Sequence, residues 1–509
     1  MMSFSVMLLM ALQKSSFFLN DYLTDKIVQK NHNGAQLTYA VKQNNIAALI
    51  FSWKNSIQHS KQWLLFAKQL AKTEGEAAYQ LAIYYQGKNE YKKMVFWLES
   101  AIRLEYYEAS IALAEYFFQK DKFNKAKKVL KALSIEQADE IIIAAITLNV
   151  NIAISQGNVF EIENLTRHYA KLLQKKEAGR LLLVDMKKYQ VQLNEMQKRD
   201  VKKFIPSCDN SIQLFATNLK HLRYLEKLIV EFKTQEMNQF VCFSPVRYMP
   251  INALDCSNNP NVAIQCNELS WQQWAKEINT RYVGLMLPKG GANVHLGILY
   301  FDSQDTGDVL AHEISHLLGF VDEYTLPIDH VKCQLPQKEI FAQNISVLKK
   351  QYKGKKEEVR ASILKQLAWA KYIKNDTPIL QSVSGAAGTV LWQLGTPKEF
   401  AHEIGLFSAK TCDGVHDKLT SQFTAFKSVS KHTKLEYFTL PFTKFYVNLL
   451  QTNSMEYRMP SFHYNIALAH FQQVIEKKAN NDKWKTWVEQ AESWENNDTR
   501  REKVRKGLF

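Results

Sequence analysis

The chain has 509 residues, enough for about three domains at ~150 residues each. Its composition, 46% hydrophobic and 23% charged with 18 Gly and 11 Pro, excludes a disordered, collagenous or miniature disulfide-dense protein. The formal charge of +15 admits anionic partners, although lysines and arginines on solvated helix faces account for it more simply.

From the N-terminus, Ser3 to Leu12 has the length of a signal-peptide apolar region. No Lys or Arg precedes it and no A-x-A site follows, so a first apolar helix of the fold fits it as well. No segment reaches the ~18 uninterrupted apolar residues of a membrane helix. The best interior run, Ile141 to Ile154, is broken by Asn149 and Asn151, and no transmembrane span is expected. The first two hundred or so residues read as helix after helix, with apolar positions recurring at three and four. Glu76 to Leu98 aligns with Glu108 to Leu130 at a shift of 32: Leu81 with Leu113, Ala82 with Ala114, Tyr84 with Tyr116, Tyr91 with Phe123, Leu98 with Leu130. This alternation of small residue, aromatic, short turn and second amphipathic helix resembles tetratricopeptide-type repeats, which implies a stacked solenoid that docks a protein partner. A plain helical bundle is the alternative.

The pattern changes after Lys203, where Pro206 and turn residues interrupt the helices. Ile212 to Ala216 reads as a strand, Asn218 to Phe232 as an amphipathic helix, and Phe240 to Phe243, Tyr282 to Leu287 and Val294 to Phe301 as strands. Helical tracts are expected near 337–374, and a C-terminal helix from about Asn465 to Lys478. An α+β domain therefore occupies 204–509, after an all-α helical-repeat solenoid over 1–203. All six cysteines, Cys208, Cys242, Cys256, Cys266, Cys333 and Cys412, lie in the second part, and none forms a C-x-x-C pair. Disulfides in an exported domain and scattered buried thiols are both open. The clustering favours export, to the periplasm or outside the cell, over the cytoplasm, with Cys333–Cys412 the first choice of pair.

His312-Glu313-Ile314-Ser315-His316 is an H-E-x-x-H motif. On a helix His312 and His316 sit ~40° apart on one face. Leu310, Ile314, Leu317 and Leu318 lie on the other and can anchor it in a core. Gly319 can end the helix in the left-handed conformation and turn the chain back, bringing Asp322 toward the same metal. Two imidazoles and a carboxylate leave a fourth position open, as a catalytic zinc requires. Glu313 is then placed to take a proton from water. Glu323 is a rival ligand if the turn differs by one residue.

HEISHLLGFVDEY resembles the metzincin clan of zinc peptidases, in the variant with Asp as third ligand that snapalysin-type and IgA-peptidase-like members share. Asn453-Ser454-Met455-Glu456-Tyr457 resembles the Met-turn of that clan, and Ile404 to Phe407 with the stretch to Phe426-Lys427 resembles the approach to it. The likeness covers roughly 204–475. It implies a metzincin-like zinc peptidase domain with a helical insertion at about 325–400. It further implies that His312, His316 and Asp322 hold zinc, that Glu313 is the catalytic base, that Met455 lies beneath the metal, and that Tyr457 stabilises the oxyanion. It also implies that the strand at Val294 to Phe301 pairs with extended substrate, although an ordinary core strand fits the same residues. His295 and His463 are not expected to be ligands.

The expected function is a zinc-dependent endopeptidase acting on protein or peptide substrates. The alternative is a non-enzymatic repeat scaffold with a vestigial zinc site, against which the intact Glu313 argues. A nucleic-acid partner rests on charge alone, since the basic run Lys349 to Lys356 lacks an aromatic platform, and none is expected.

Overall fold

Helix-capping residues punctuate the N-terminal part. Asn33 accepts from Gln36 N while Gln36 reaches back to Asn33 N, and Asn45 and Ser60 cap the helices that follow them. The computed structural model describes residues 17–133, 138–191, 208–257, 259, 262–275, 277–327, 330–384, 390–414, 422–453, 456–477, 489, 491–495 and 500–502. Ser3 to Leu12 and the expected boundary at 203/204 lie outside them. Among the described residues no helix is long and apolar enough to cross a membrane. The chain divides into two compact units, Met1–Ile152 with Glu161–Leu183, and Ala153–Phe160 with Val184–Phe509. The second unit thus begins before the expected boundary: Tyr189 already belongs to it, its carbonyl accepting from Tyr248 N at 2.9 Å.

The first unit is all-helical. Antiparallel hairpins run through Gly34–Lys42 and Ile46–Lys54, then Gly75–Gly87 and Tyr91–Arg103, then Glu108–Gln119 and Phe123–Lys131. The 32-residue shift is visible in the backbone. Asn89 and Asp121, which the shift aligns, both adopt left-handed turns (φ 59° and 56°), a conformation that short polar side chains tolerate. Leu81 and Leu113, Ala82 and Ala114, Leu98 and Leu130 are all buried. Tyr91 stacks on Tyr116 across neighbouring hairpins, with ring centroids 5.8 Å apart.

The second unit is mixed α and β. Its main sheet contains β1 (Ser211–Ala216), β2 (Cys242–Phe243), β3 (Arg247–Tyr248), β4 (Tyr282–Leu287), β5 (Asn293–His295) and β6 (Ile298–Asp302). The order is β2-β1-β4-β6-β5, with β3 also beside β1. All pairs are parallel except β5 with β6, which places an antiparallel strand at the edge. Every residue of β1, β4 and β6 is buried, which explains why these strands are mostly apolar on both faces; Gln213 within β1 is buried too, its amide donating to Pro245 O at 2.6 Å. Phe215, Trp271, Leu285, Tyr300 and Phe462 build the core under the sheet, each such side chain contributing about 1.5–3 kcal/mol. Helix Leu219–Phe232, capped by Asn218, covers the sheet after β1. Helix Gly307–Leu317 follows β6 and carries the H-E-x-x-H residues.

Two expectations are corrected. Val294 to Phe301 is not one strand but the hairpin of β5 and β6, turned at Leu296 and Gly297 (φ 51° and 77°). Successive positive φ values are what a tight two-residue hairpin demands, and Leu gives no warning of one. The insertion at 325–400, with tracts near 337–374, is not the helical segment expected. Among the described residues it contains β7 (Ile345–Lys349), β8 (Gln351–Tyr352), β9 (Leu380–Ser384) and β10 (Val390–Leu394), one α-helix at Lys356–Leu364, and much irregular chain. Ile345 to Leu348 is fully buried and pairs with β12 (Phe423–Lys427), which itself pairs with β11 (Phe407–Ser408). Core pairing outweighs the helix propensity of the surrounding lysines. The C-terminal helix runs Phe462–Lys477.

Candidate metal centre

The helix bearing His312, Glu313 and His316 buries all but its outermost positions, with Leu310, Ala311, Ile314 and Leu317 in the core. It stops in a Schellman turn: Phe320 N donates to Ser315 O and Gly319 N to His316 O, both at 3.1 Å. Gly319 stands at φ +91°, and a Cβ there would lie 2.5 Å from Tyr457 O, so no other residue fits. The turn does two things at once. It points Phe320 O at His316 Nδ1 (3.1 Å), and it sends the chain back so that Asp322 faces the histidines.

Both imidazoles are oriented by backbone. His312 Nδ1 donates to Lys434 O at 2.9 Å, and His316 Nδ1 to Phe320 O. A carbonyl only accepts, so both Nδ1 atoms carry a proton, and in the neutral rings that ligate a metal both Nε2 atoms would present lone pairs. Those Nε2 atoms lie 3.0 and 3.2 Å from the same atom, Asp322 Oδ1. The ring planes are perpendicular, with centroids 4.8 Å apart. Glu313 Oε2 is 3.9 Å from His316 Nε2. His312 Nε2 and Asp322 Oδ1 are both buried with no hydrogen-bond partner. One proton can bridge one such pair of acceptors, whereas one divalent cation serves all three at once. Ligand atoms ~2.0–2.1 Å from a shared tetrahedral ion stand about 3.3 Å apart, close to the separations seen. The donor set therefore fits zinc.

Before a cation binds, the electrostatics favour a proton in its place. Burial opposes a charge on His316, yet Asp322 and Glu313 push its pKa up to about 10, so its Nε2 holds a proton that a bound cation would displace. Burial would raise Asp322, but His316 and His312 hold it well below the usual carboxylate range. Burial pushes Glu313 up, with the histidines opposing, which suits a group that must take up a proton.

Glu323 is not placed as a ligand, which removes the alternative left by the sequence. It is wholly buried: its Oε1 accepts from Tyr446 Oη (2.5 Å) and Asn344 Nδ2 (3.1 Å), its Oε2 from Lys427 Nζ (2.8 Å) and Thr433 Oγ1 (2.9 Å). With both oxygens committed, Glu323 anchors the loop from inside while its neighbour Asp322 faces the histidines. Asn344 adds a clamp, accepting from Val321 N (2.9 Å) and donating to Val321 O (2.8 Å). Thr411 Oγ1 donates to Asp322 O at 2.8 Å. Sequence reasoning missed Asn344, Lys427, Thr433, Lys434 and Tyr446, which lie far along the chain from the motif and carry no motif of their own.

A cleft of about 420 Å³ opens on this centre, lined by Glu313, His316, Asp322, Tyr324 and Tyr457, with Asn293 and Val294 of β5. Met455 and Ser454 lie outside the described residues, so the Met-turn is not described. The chain following it is: Met459 N donates to Leu317 O at 3.0 Å, and Tyr457 borders the cleft, its hydroxyl pushed up to about 12 by burial and by Glu456. Tyr324, the last residue of the quoted HEISHLLGFVDEY stretch, stacks on His312 with ring centroids 6.1 Å apart; burial, with Asp322 and Glu313 nearby, pushes its hydroxyl well above the usual range. His295 pairs with Glu268 at 2.7 Å, and His463 is buried against Trp494, so neither joins the centre.

No known family model matches the chain, and no curated protein matches it. Among solved structures, Haemophilus influenzae LpoA in a monoclinic form with two molecules per asymmetric unit aligns with 56% of this chain at 10% identity and a TM-score of 0.14. The chain spans 58% of that protein's length, and a likeness this slight carries no argument.

Proposed function

We propose that the protein is an exported zinc-dependent endopeptidase of metzincin type, whose tetratricopeptide-like helical unit docks a protein. The observation that carries the reading is the convergence of His312 Nε2 and His316 Nε2 on Asp322 Oδ1, with both Nδ1 protons tied to backbone carbonyls. His312, His316 and Asp322 would hold the ion. When bound, zinc supplies Lewis acidity to a water and to a substrate carbonyl. Glu313, in reach of that position and raised by burial, accepts the proton of the attacking water and returns it to the leaving amine. β5 offers its free edge to an extended peptide by main-chain hydrogen bonds. Tyr457, on the border of the cleft, hydrogen-bonds the developing oxyanion. Three disulfides, Cys208–Cys242, Cys256–Cys266 and Cys333–Cys412, support an oxidising compartment.

The test is Glu313→Gln. Metal analysis should find about one zinc per chain in both forms, while peptide-library cleavage falls by about 10²–10⁴-fold in the variant. Unchanged turnover sinks the mechanism, and absence of zinc from the native protein sinks the reading.

A further inference from the structure

Apart from the metal-facing Glu313 and Asp322, no carboxylate lines the cleft among the described residues, whereas His330, Lys332, Arg458 and Arg500 all do. Two of these cations are engaged elsewhere. Arg458 is buried and donates to Asn210 Oδ1 at 3.2 Å, and Arg500 donates to Glu495 Oε2 at 3.3 Å. Lys332 differs. Its ammonium lies 4.3 Å from the centroid of the Phe341 ring, and it has no carboxylate partner among the described residues. Its backbone is braced, since Lys332 N donates to His330 Nδ1 at 3.3 Å and the next residue, Cys333, is bonded to Cys412. The aromatic face orients the charge and the disulfide fixes the turn that presents it. Phe341 and Leu326 supply an apolar floor beside it. The side chain is solvent-exposed, and the partial burial of its ammonium lowers its pKa.

We infer that Lys332 is a specificity-determining residue that selects a carboxylate side chain in the peptide segment spanning the cleft. The inference rests on the peptidase reading of the same cleft, and deepens it by naming the substrate class: acidic peptides. An arriving Glu or Asp offers Lys332 a counter-charge, while a Lys or Arg in its place meets like charge.

The experiment compares three peptides identical except for a central Glu, Gln or Lys. Binding is read by fluorescence anisotropy on the full chain carrying Glu313→Gln, and cleavage on the native chain. The Glu peptide should bind about fivefold more tightly than the Gln peptide, the upper range for a part-exposed ion pair, and the Lys peptide more weakly than either. Lys332→Glu should invert the order of the Glu and Lys peptides, and Lys332→Gln should flatten it. Reversal at Lys365, which is not part of the cleft wall, should leave the order standing; if it shifts the order equally, the preference is one of net charge and the inference is overturned. No order among the peptides, or one that survives Lys332→Glu, also overturns it. Cleavage without charge order removes this inference and keeps the peptidase. Charge order in binding without cleavage keeps the carboxylate site and removes the peptidase.

Discussion

Asp322 and Glu323 are chemically near-identical neighbours with opposite duties. Asp322 Oδ1 sits 3.0 Å from His312 Nε2, while Glu323 takes four hydrogen bonds on the far side of the same backbone. Their loss should therefore be felt in different measurements. Asp322→Ala should lower zinc affinity steeply while costing less stability than Glu323→Ala, because its carboxylate faces the two histidines rather than a buried lysine. Glu323→Ala leaves buried Lys427 with only its longer contact to Glu436 (3.5 Å) and strips Tyr446 and Thr433 of their acceptor, and should cost up to about 3–5 kcal/mol in denaturant unfolding. Equal loss of zinc in the two variants at matched foldedness would sink this division of labour. The sequence offered both carboxylates by spacing alone. What separates them is a set of partners 21 to 123 residues away, at Asn344, Lys427, Thr433 and Tyr446, and no local pattern reports such contacts. Lys427 and Lys434 were the least legible, since lysine defaults to the surface and both are buried here.

Among the elements, the helix Gly307–Leu317 and the strands β1 and β4 were the most legible, because a 3.6-residue period and unbroken apolar runs each have one physical explanation. The β5–β6 hairpin was read as one strand because its turn is built on Leu296 rather than on Asn or Asp followed by Gly. β7 lies within the helical tract expected near 337–374, yet its buried residues Ile345 to Leu348 pair with β12, a long-range contact that no local pattern reports. β12 leads into an ionic cluster that gives the second unit a pH signature. Burial would raise Glu436, but His432 Nδ1 at 2.5 Å, Lys410 Nζ at 2.8 Å and Lys427 Nζ at 3.5 Å hold it down to about 2. A carboxyl lowered on folding adds stability that is complete above its unfolded pKa of ~4.3 and lost as pH falls through its folded value. Unfolding free energy should therefore decline between about pH 4.5 and 2, and Glu436→Gln should flatten that decline. An unchanged profile in the variant would assign the acid sensitivity elsewhere.

For the chain as a unit of cellular chemistry, the three disulfides matter most. Cys333–Cys412 closes a separation of 79 residues, for which loop-closure entropy gives about 4 kcal/mol. Thermal unfolding under reductant should begin at lower temperature, with the second unit affected first, since all six cysteines lie there. Mass mapping without reduction should recover the three pairs, and six free thiols in protein from its native compartment would place it in a reducing one.

The short segment Thr433–Leu435 touches the centre from two directions. Lys434 O receives His312 Nδ1, and Leu435 O receives Glu323 N at 2.9 Å. His312 and the Asp322–Glu323 turn are thus held by one strap. If zinc is bound as proposed, lifting the strap would loosen both, and the lifetime of the ion would depend on backbone motion as well as on coordination strength. The Glu323 amide, protected by Leu435 O, should then exchange with solvent deuterium at the rate at which a chelator withdraws zinc, and Thr433→Val should quicken both together. Rates that diverge under that substitution would mean that metal escapes by a route that leaves the strap in place.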